Sequence, residues 1–133
     1  MTLYRLYRAG HVASLIAQPW IGLVAFEMAR PAGFARLCAW LRRTAPVRPH
    51  RTVSPEDVLW SVDEACVWYV KRAACLQRSV VATWLLRRYG FAAQMVIGCR
   101  PLPFESHAWV EIDGRVVNDL PQYQRAFTVL HRL

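Results

Sequence analysis

Eight successive residues, Ser79 to Leu86 (SVVATWLL), carry no charge, and they sit in the middle of a segment that reads as a helix from about Cys75 to Tyr89. A helix that is apolar on every side has to be covered on every side, so it occupies the centre of whatever fold contains it. Gly90 closes it, because glycine takes the left-handed conformation that ends helices at little steric cost. The start is less marked. Lys71 to Ala74 offers no capping side chain, so a single helix from Pro55 to Tyr89 also fits the pattern, although it would be long for a chain of 133 residues.

The cover for that helix has to come from one domain, since a chain of this length supports one principal core. Hydrophobic residues make up 55% and charged residues 20%, with six Trp, which is far too apolar for disorder. A second helix precedes the central one. Ser54 suits its N-cap, Pro55 its first position, and Glu56 and Asp57 complement the positive end of its dipole. Val58, Val62, Ala65, Cys66 and Tyr69 recur at three-and-four spacing and predict its buried stripe. Trp60, Trp68 and Trp84 are also predicted to be core.

Residues 1–44 form a helical arm in pattern. From Val12 to Ala29 only Gln18, Pro19 and Glu27 interrupt the apolar run, which just reaches the length of a membrane span. The central Gln-Pro pair and the basic flanks at both ends argue against one. Two short amphipathic helices, lying on the domain or on a partner, are predicted instead, with a peripheral membrane contact left open. Residues 45–53, with two prolines, read as a linker, and 54–133 as the core. Beyond Gly90 the pattern turns to strand: FAAQMVIG alternates loosely, PLPFE is a proline-bounded loop, and HAWVEIDGRVVND is a hairpin turning at Asp113-Gly114. Helices followed by antiparallel strands make an α+β fold.

The charge of +8 comes from 17 Lys and Arg against 9 Asp and Glu. These bases are scattered, and no nucleic-acid motif accompanies them, so nucleic acid is not the predicted partner. Cys38, Cys66, Cys75 and Cys99 form no CxxC pair and have no histidine at ligand spacing. Reduced thiols in a cytoplasm, with no metal or cofactor, are the expectation.

One thiol stands apart. Cys75 lies where the central helix starts, and the unpaired N–H groups of a helix N-terminus stabilise a thiolate. A nucleophilic thiol needs a proton acceptor, and His107 opens a strand, which is a rigid platform for a base. A carboxylate must then hold the imidazole tautomer, and Asp119 ends the following strand. Each residue has a plainer explanation: a cysteine in an apolar helix is often a small core residue, His107 would serve as a strand histidine, and Asp119 as a turn cap. The order of Cys on a helix, His on a strand and Asp on the next favours the triad. Gln94 and Trp109 are candidates for an oxyanion donor beside the Cys75 backbone N–H, although each also reads as structural.

The segments CLQRSVVATWLLRRYGF from Cys75, VIGCRPLPFESHAWVE through His107, and DGRVVND ending at Asp119 resemble the stand-alone leader peptidases of lasso-peptide biosynthesis, which are transglutaminase-like cysteine peptidases. The likeness covers roughly Ser54 to Leu120; the arm shares only its helical, basic character, and Ser106 stands where that family often has Ala. The resemblance implies a transglutaminase-like, papain-like cysteine peptidase fold and hydrolysis of a precursor peptide by Cys75, His107 and Asp119. It also implies a small leader-binding protein that presents the substrate, and a separate lasso cyclase downstream. An acyltransferase with a similar triad, or a docking module with the three residues dispersed, are the competing readings.

The triad bears on the hairpin register. A two-residue turn at Asp113-Gly114 would set Ala108 opposite Asp119 and place the acid on the wrong face from His107, so the triad would fail. A three-residue loop with Gly114 in a G1 bulge pairs Glu111 with Arg115, Trp109 with Val117 and His107 with Asp119, and this is the predicted register. Asn118 is the next candidate for the orienting residue.

Overall fold

The computed structural model describes residues 2–47 and 53–133, so the Arg48–Thr52 part of the expected linker lies outside the described residues. Helix α1 spans Thr2–Ala29, a 3-10 turn covers Arg30–Ala32, and α2 spans Phe34–Arg43. Pro19 lies inside α1, so the predicted break at Gln18-Pro19 is not there. An internal proline removes one helix hydrogen bond and costs about 3 kcal/mol, but tertiary packing on both sides of the residue opposes that cost. Gln18 Nε2 donates to Tyr89 Oη at 2.8 Å. Leu23 is wholly buried, and its carbonyl accepts from Gln77 Nε2 at 3.1 Å. The chain turns instead at Gly33, whose φ of 95° belongs to glycine, and α2 folds back to bury Cys38 and Leu41. No helix among the described residues is long and apolar enough to cross a membrane.

Helix α3, Pro55–Trp68, begins as its sequence requires. Ser54 Oγ accepts from Asp57 N and Asp57 Oδ2 accepts from Ser54 N, both at 3.1 Å, a reciprocal capping box. Val58, Ser61, Val62 and Ala65 are its buried stripe. Two of the tryptophans expected in the core are outside it: Trp60 is 47% and Trp68 72% exposed. Trp60 lies about 150° around the helix from the centre of that stripe at 100° per residue, and Trp68 is the last residue of α3, beyond the stripe, so aromatic size did not place them inside. The single long helix is also excluded, because α3 ends at Trp68 and α4 starts afresh at Cys75.

Helix α4, Cys75–Arg88, is the central element, packed against α1, α3 and the sheet, with Val80 and Leu76 meeting Cys38 and Leu41 of α2. Arg87 is buried near its end, and among the described residues no Asp or Glu pairs with it. Its guanidinium donates to the main-chain oxygens of Ala93, Leu41, Thr44 and Leu133, which closes the C-terminus of α2 against the sheet.

Strands β1 (Ala93–Pro101), β2 (Phe104–Ile112), β3 (Arg115–Val116) and, after the short helix α5 (Tyr123–Ala126), β4 (Thr128–Arg132) form one antiparallel sheet in the order β3-β2-β1-β4. One face, with Met95, Ile97 and Val110, packs on α4. The other carries Val96 and Trp109 under Phe127, Tyr123 and Val116. The fold is α+β, helices first. The hairpin register differs from the prediction: Ile112 pairs with Arg115 and Glu111 with Val116 across a two-residue turn. Asp113 at φ 51° and Gly114 at φ 74° are both left-handed, the type I′ geometry that an Asp-Gly pair favours.

Candidate active site

Cys75 is the first residue of α4, and no side chain caps that helix from Ala74. The first-turn N–H groups are therefore not satisfied by a capping side chain, which suits a developing anion. One turn further on, Ser79 Oγ donates to the Ala108 carbonyl of β2 at 3.1 Å. Residues four apart share a helix face, so Cys75 lies on the sheet-facing side of α4, towards the end of β2 that carries His107.

His107 Nε2 is 2.9 Å from Asp119 Oδ2. The carboxylate accepts, so Nε2 carries the proton and proton exchange with a thiol falls to Nδ1. The ring lies under Tyr123, with centroids 4.4 Å apart, and is flanked by Trp109 and Phe127. This aromatic wall leaves the His107 side chain 16% exposed, and Asp119 equally so. Asp119 Oδ1 accepts from Leu120 N at 2.9 Å, and Oδ2 also accepts from Arg78 Nη2 at 3.3 Å. Among the described residues no hydrogen bond joins Cys75 to the imidazole, so the histidine and the acid are directly bonded and the thiol is placed by its helix.

The acid reaches His107 in a register that a regular ladder would forbid, and Asn118 explains how. Val117 N donates to Val110 O at 2.9 Å, and the partner bond would run from Val110 N to the Val117 carbonyl. Val110 N instead donates to the Asn118 side chain, Oδ1, at 2.7 Å. The side chain takes the place of the backbone, the strand ends, and the two-residue alternation no longer governs which way Asp119 points. Asn118 Nδ2 also donates to Ser79 Oγ at 3.2 Å. Asn118 is thus the anchor of the exit, while Asp119 meets the imidazole.

Neither oxyanion candidate suits that role. Gln94 is exposed and pairs with Glu111, four ladder positions from Gly98 opposite His107. Trp109 is fully buried and its indole N–H donates to Glu111 Oε1 at 2.9 Å. All four cysteines are free thiols. Burial pushes the Cys38 thiol up, against the lowering pull of Arg42, and burial likewise pushes up Cys66, with Arg78 opposing. Both are held in the unreactive form. Among the described residues no cluster of three His, Cys, Asp or Glu could hold a metal ion. Arg78 and Tyr123 had no assigned role in sequence; the three-residue step from Cys75 to Arg78 is the signal for the first, and nothing local marks the second.

Residues 22–132 match the model of the transglutaminase-like superfamily. The chain belongs to that superfamily. The match takes in α1 from Gly22 onward, α2, the whole sheet, and Cys75, His107 and Asp119 alike. Among curated proteins, the chain is 37% identical over 59 residues to the microcin J25-processing protein McjB of Escherichia coli. That stretch is 44% of this chain and 28% of McjB, so the likeness spans under a third of the relative. No solved structure matches.

Proposed function

We propose that this transglutaminase-like chain is a cysteine peptidase that removes the leader from a lasso-peptide precursor, with Cys75 as nucleophile, His107 as general base and Asp119 orienting the base. The observation that carries the assignment is the 2.9 Å contact between His107 Nε2 and Asp119 Oδ2, which leaves Nδ1 as the ring nitrogen for proton exchange. The likeness to a microcin-processing protein supports the substrate class. In the reaction His107 takes the Cys75 proton, the thiolate attacks the scissile carbonyl, and the Cys75 backbone N–H donates to the oxyanion. The imidazolium then protonates the departing amine. Water attacks the thioester with His107 as base, and the peptide acid leaves the restored thiol.

The test is incubation with a lasso precursor and its leader-binding protein, followed by mass spectrometry. Wild type should release the intact leader, Cys75→Ala should release none at an unchanged melting temperature, and EDTA should have no effect. Cleavage by Cys75→Ala near the wild-type rate would remove the assignment. Transfer to an added amine in preference to water would instead identify an acyltransferase. Cys66→Ala and Cys99→Ala should cleave normally.

The partner in this proposal is a small leader-binding protein, and the surface it would use is an apolar groove of about 630 Å³ between α1, α2 and α4, lined by Phe26, Phe34, Leu37, Trp40 and Trp84. Trp40→Glu should then slow cleavage of the presented precursor while leaving a short leader-core junction peptide unaffected. Equal losses on both substrates would count against docking there.

A further inference from the structure

We propose that Arg78 is a positioning residue that locks the Asp119 carboxylate onto the His107 ring, so that a single turn of α4 sets the register of thiol, base and acid. This role rests on the peptidase assignment above. Asp119 needs such a lock because it stands outside the sheet: β3 ends at Val116, and the last ladder bond is that of Val117 N. Of the contacts to its carboxylate, the one from Leu120 N is local and would follow the chain wherever it moved. Arg78 ties it to α4.

One nitrogen of that guanidinium, Nη2, donates both to the Asn118 carbonyl at 2.9 Å and to Asp119 Oδ2 at 3.3 Å. The carboxylate oxygen it reaches is the one bonded to His107 Nε2. Fixing Oδ2 therefore fixes the ring nitrogen that faces it, and with it the orientation of Nδ1. The next residue does the same for the base. Ser79 holds the Ala108 carbonyl, adjacent to His107, and accepts from Asn118 Nδ2. Arg78 and Ser79 lie three and four residues after Cys75, one turn along the same helix. The acid segment and the base strand are thus both bonded to the turn that follows the thiol, and a shift of any one of the three has to break a bond to that turn. The Arg78 side chain is 32% exposed, and its hydrogen bonds run to Asn118 and Asp119. Lysine would hold them less firmly, since its ammonium turns on a flexible stem, whereas the two N–H groups of Nη2 lie in the fixed guanidinium plane.

The test uses the full chain, with Arg78→Ala and Arg78→Lys assayed on a leader-core junction peptide and the His107 ring nitrogens followed by NMR. Misplacement of a reacting group by about 1 Å costs up to about 100-fold in rate, so Arg78→Ala should lower kcat by about 10- to 100-fold with KM within about threefold. The imidazole should pass from one tautomer in wild type to a mixture, and added guanidinium ion at low millimolar concentration should restore part of the rate in Arg78→Ala but none in Asp119→Ala. A kcat within about threefold of wild type, on the same scale, or an unchanged tautomer, overturns the proposal. If Arg78→Ala does not fold, Arg78→Lys carries the test, with a smaller loss of kcat and the same tautomer mixture expected, and a single tautomer at full rate overturning it. If wild type cleaves nothing, the peptidase assignment fails by itself, and the dependence of the His107 tautomer on Arg78 still decides the positioning role.

Discussion

Glu111 is the residue whose surroundings depart furthest from what its neighbours in sequence suggest. In the predicted bulged register it faces Arg115 as a surface ion pair. It is instead 2% exposed, bonded to Trp109 Nε1, to Gln124 Nε2 and to the Arg132 guanidinium. Burial alone would push its carboxyl up, but the hydrogen bonds from Gln124, Trp109 and Arg132 and the charge of Arg132 outweigh burial and hold it below the usual range. A carboxyl depressed in the folded state contributes stability above the unfolded value of about 4.3, and that contribution is lost as pH falls through the lower folded value. Glu111→Gln should therefore melt at a lower temperature than wild type at pH 7, and the gap should narrow steadily below about pH 4.3, which thermal scans across pH would measure. A gap constant with pH would mean that the charge on Glu111 is not what the network uses. None of this was legible locally, because Gln124 and Arg132 come from a tail with no strand pattern: all five residues of β4 are exposed.

Among elements, the helices were read best where punctuation is local. Ser54 and Pro55 open α3 and Gly90 follows α4 because caps and left-handed glycines act within a few residues. The turn between α1 and α2 was misplaced because a proline is a local signal that packing of Leu23 and Gln18 overrides. The hairpin failed for another reason: the Asp113-Gly114 turn chemistry was recognised but set aside, on the premise that the strand continues to Asp119. The strand stops at Val116, and at Asn118 a side chain takes over from the ladder. Asn118→Ala removes the acceptor for Val110 N and the donor to Ser79, so kcat should fall by about 10-fold or more as Asp119 drifts. Asn118→Asp, which keeps the acceptor and loses the donor, should lie between the two. Equal activity of Asn118→Ala and wild type on a junction peptide would show that the exit of the strand does not set the acid. The contact of His107 with Asp119 was legible from the order of the elements and the family resemblance, whereas its route was not.

Across the whole molecule, the N-terminal helices are part of the domain's interior. Leu23 of α1 shares one cluster with Val58, Val62, Leu85, Leu86 and Val110, and Leu41 of α2 lies in a second with Val80 and Met95. The uncharged run of α4 indicated that something must cover it without saying which segment would do so. Leu23→Ala should destabilise the fold by about 2–5 kcal/mol, as deletion of a buried leucine side chain does, and urea titration would measure it. A loss below about 1 kcal/mol would show that α1 is only loosely attached, since fully burying a leucine is itself worth about 1.5–3 kcal/mol. The packing of α4 against α1, α3 and the sheet also governs how the molecule comes apart. Amides from Val80 to Leu86 lie mid-helix on the element that α1, α3 and the sheet all pack against, so they should exchange with deuterium at the rate of global unfolding. The thiol rides on that helix, so Cys75 keeps its place at the helix start for as long as the domain stays folded. Loss of reactivity and loss of structure should then share one denaturant midpoint.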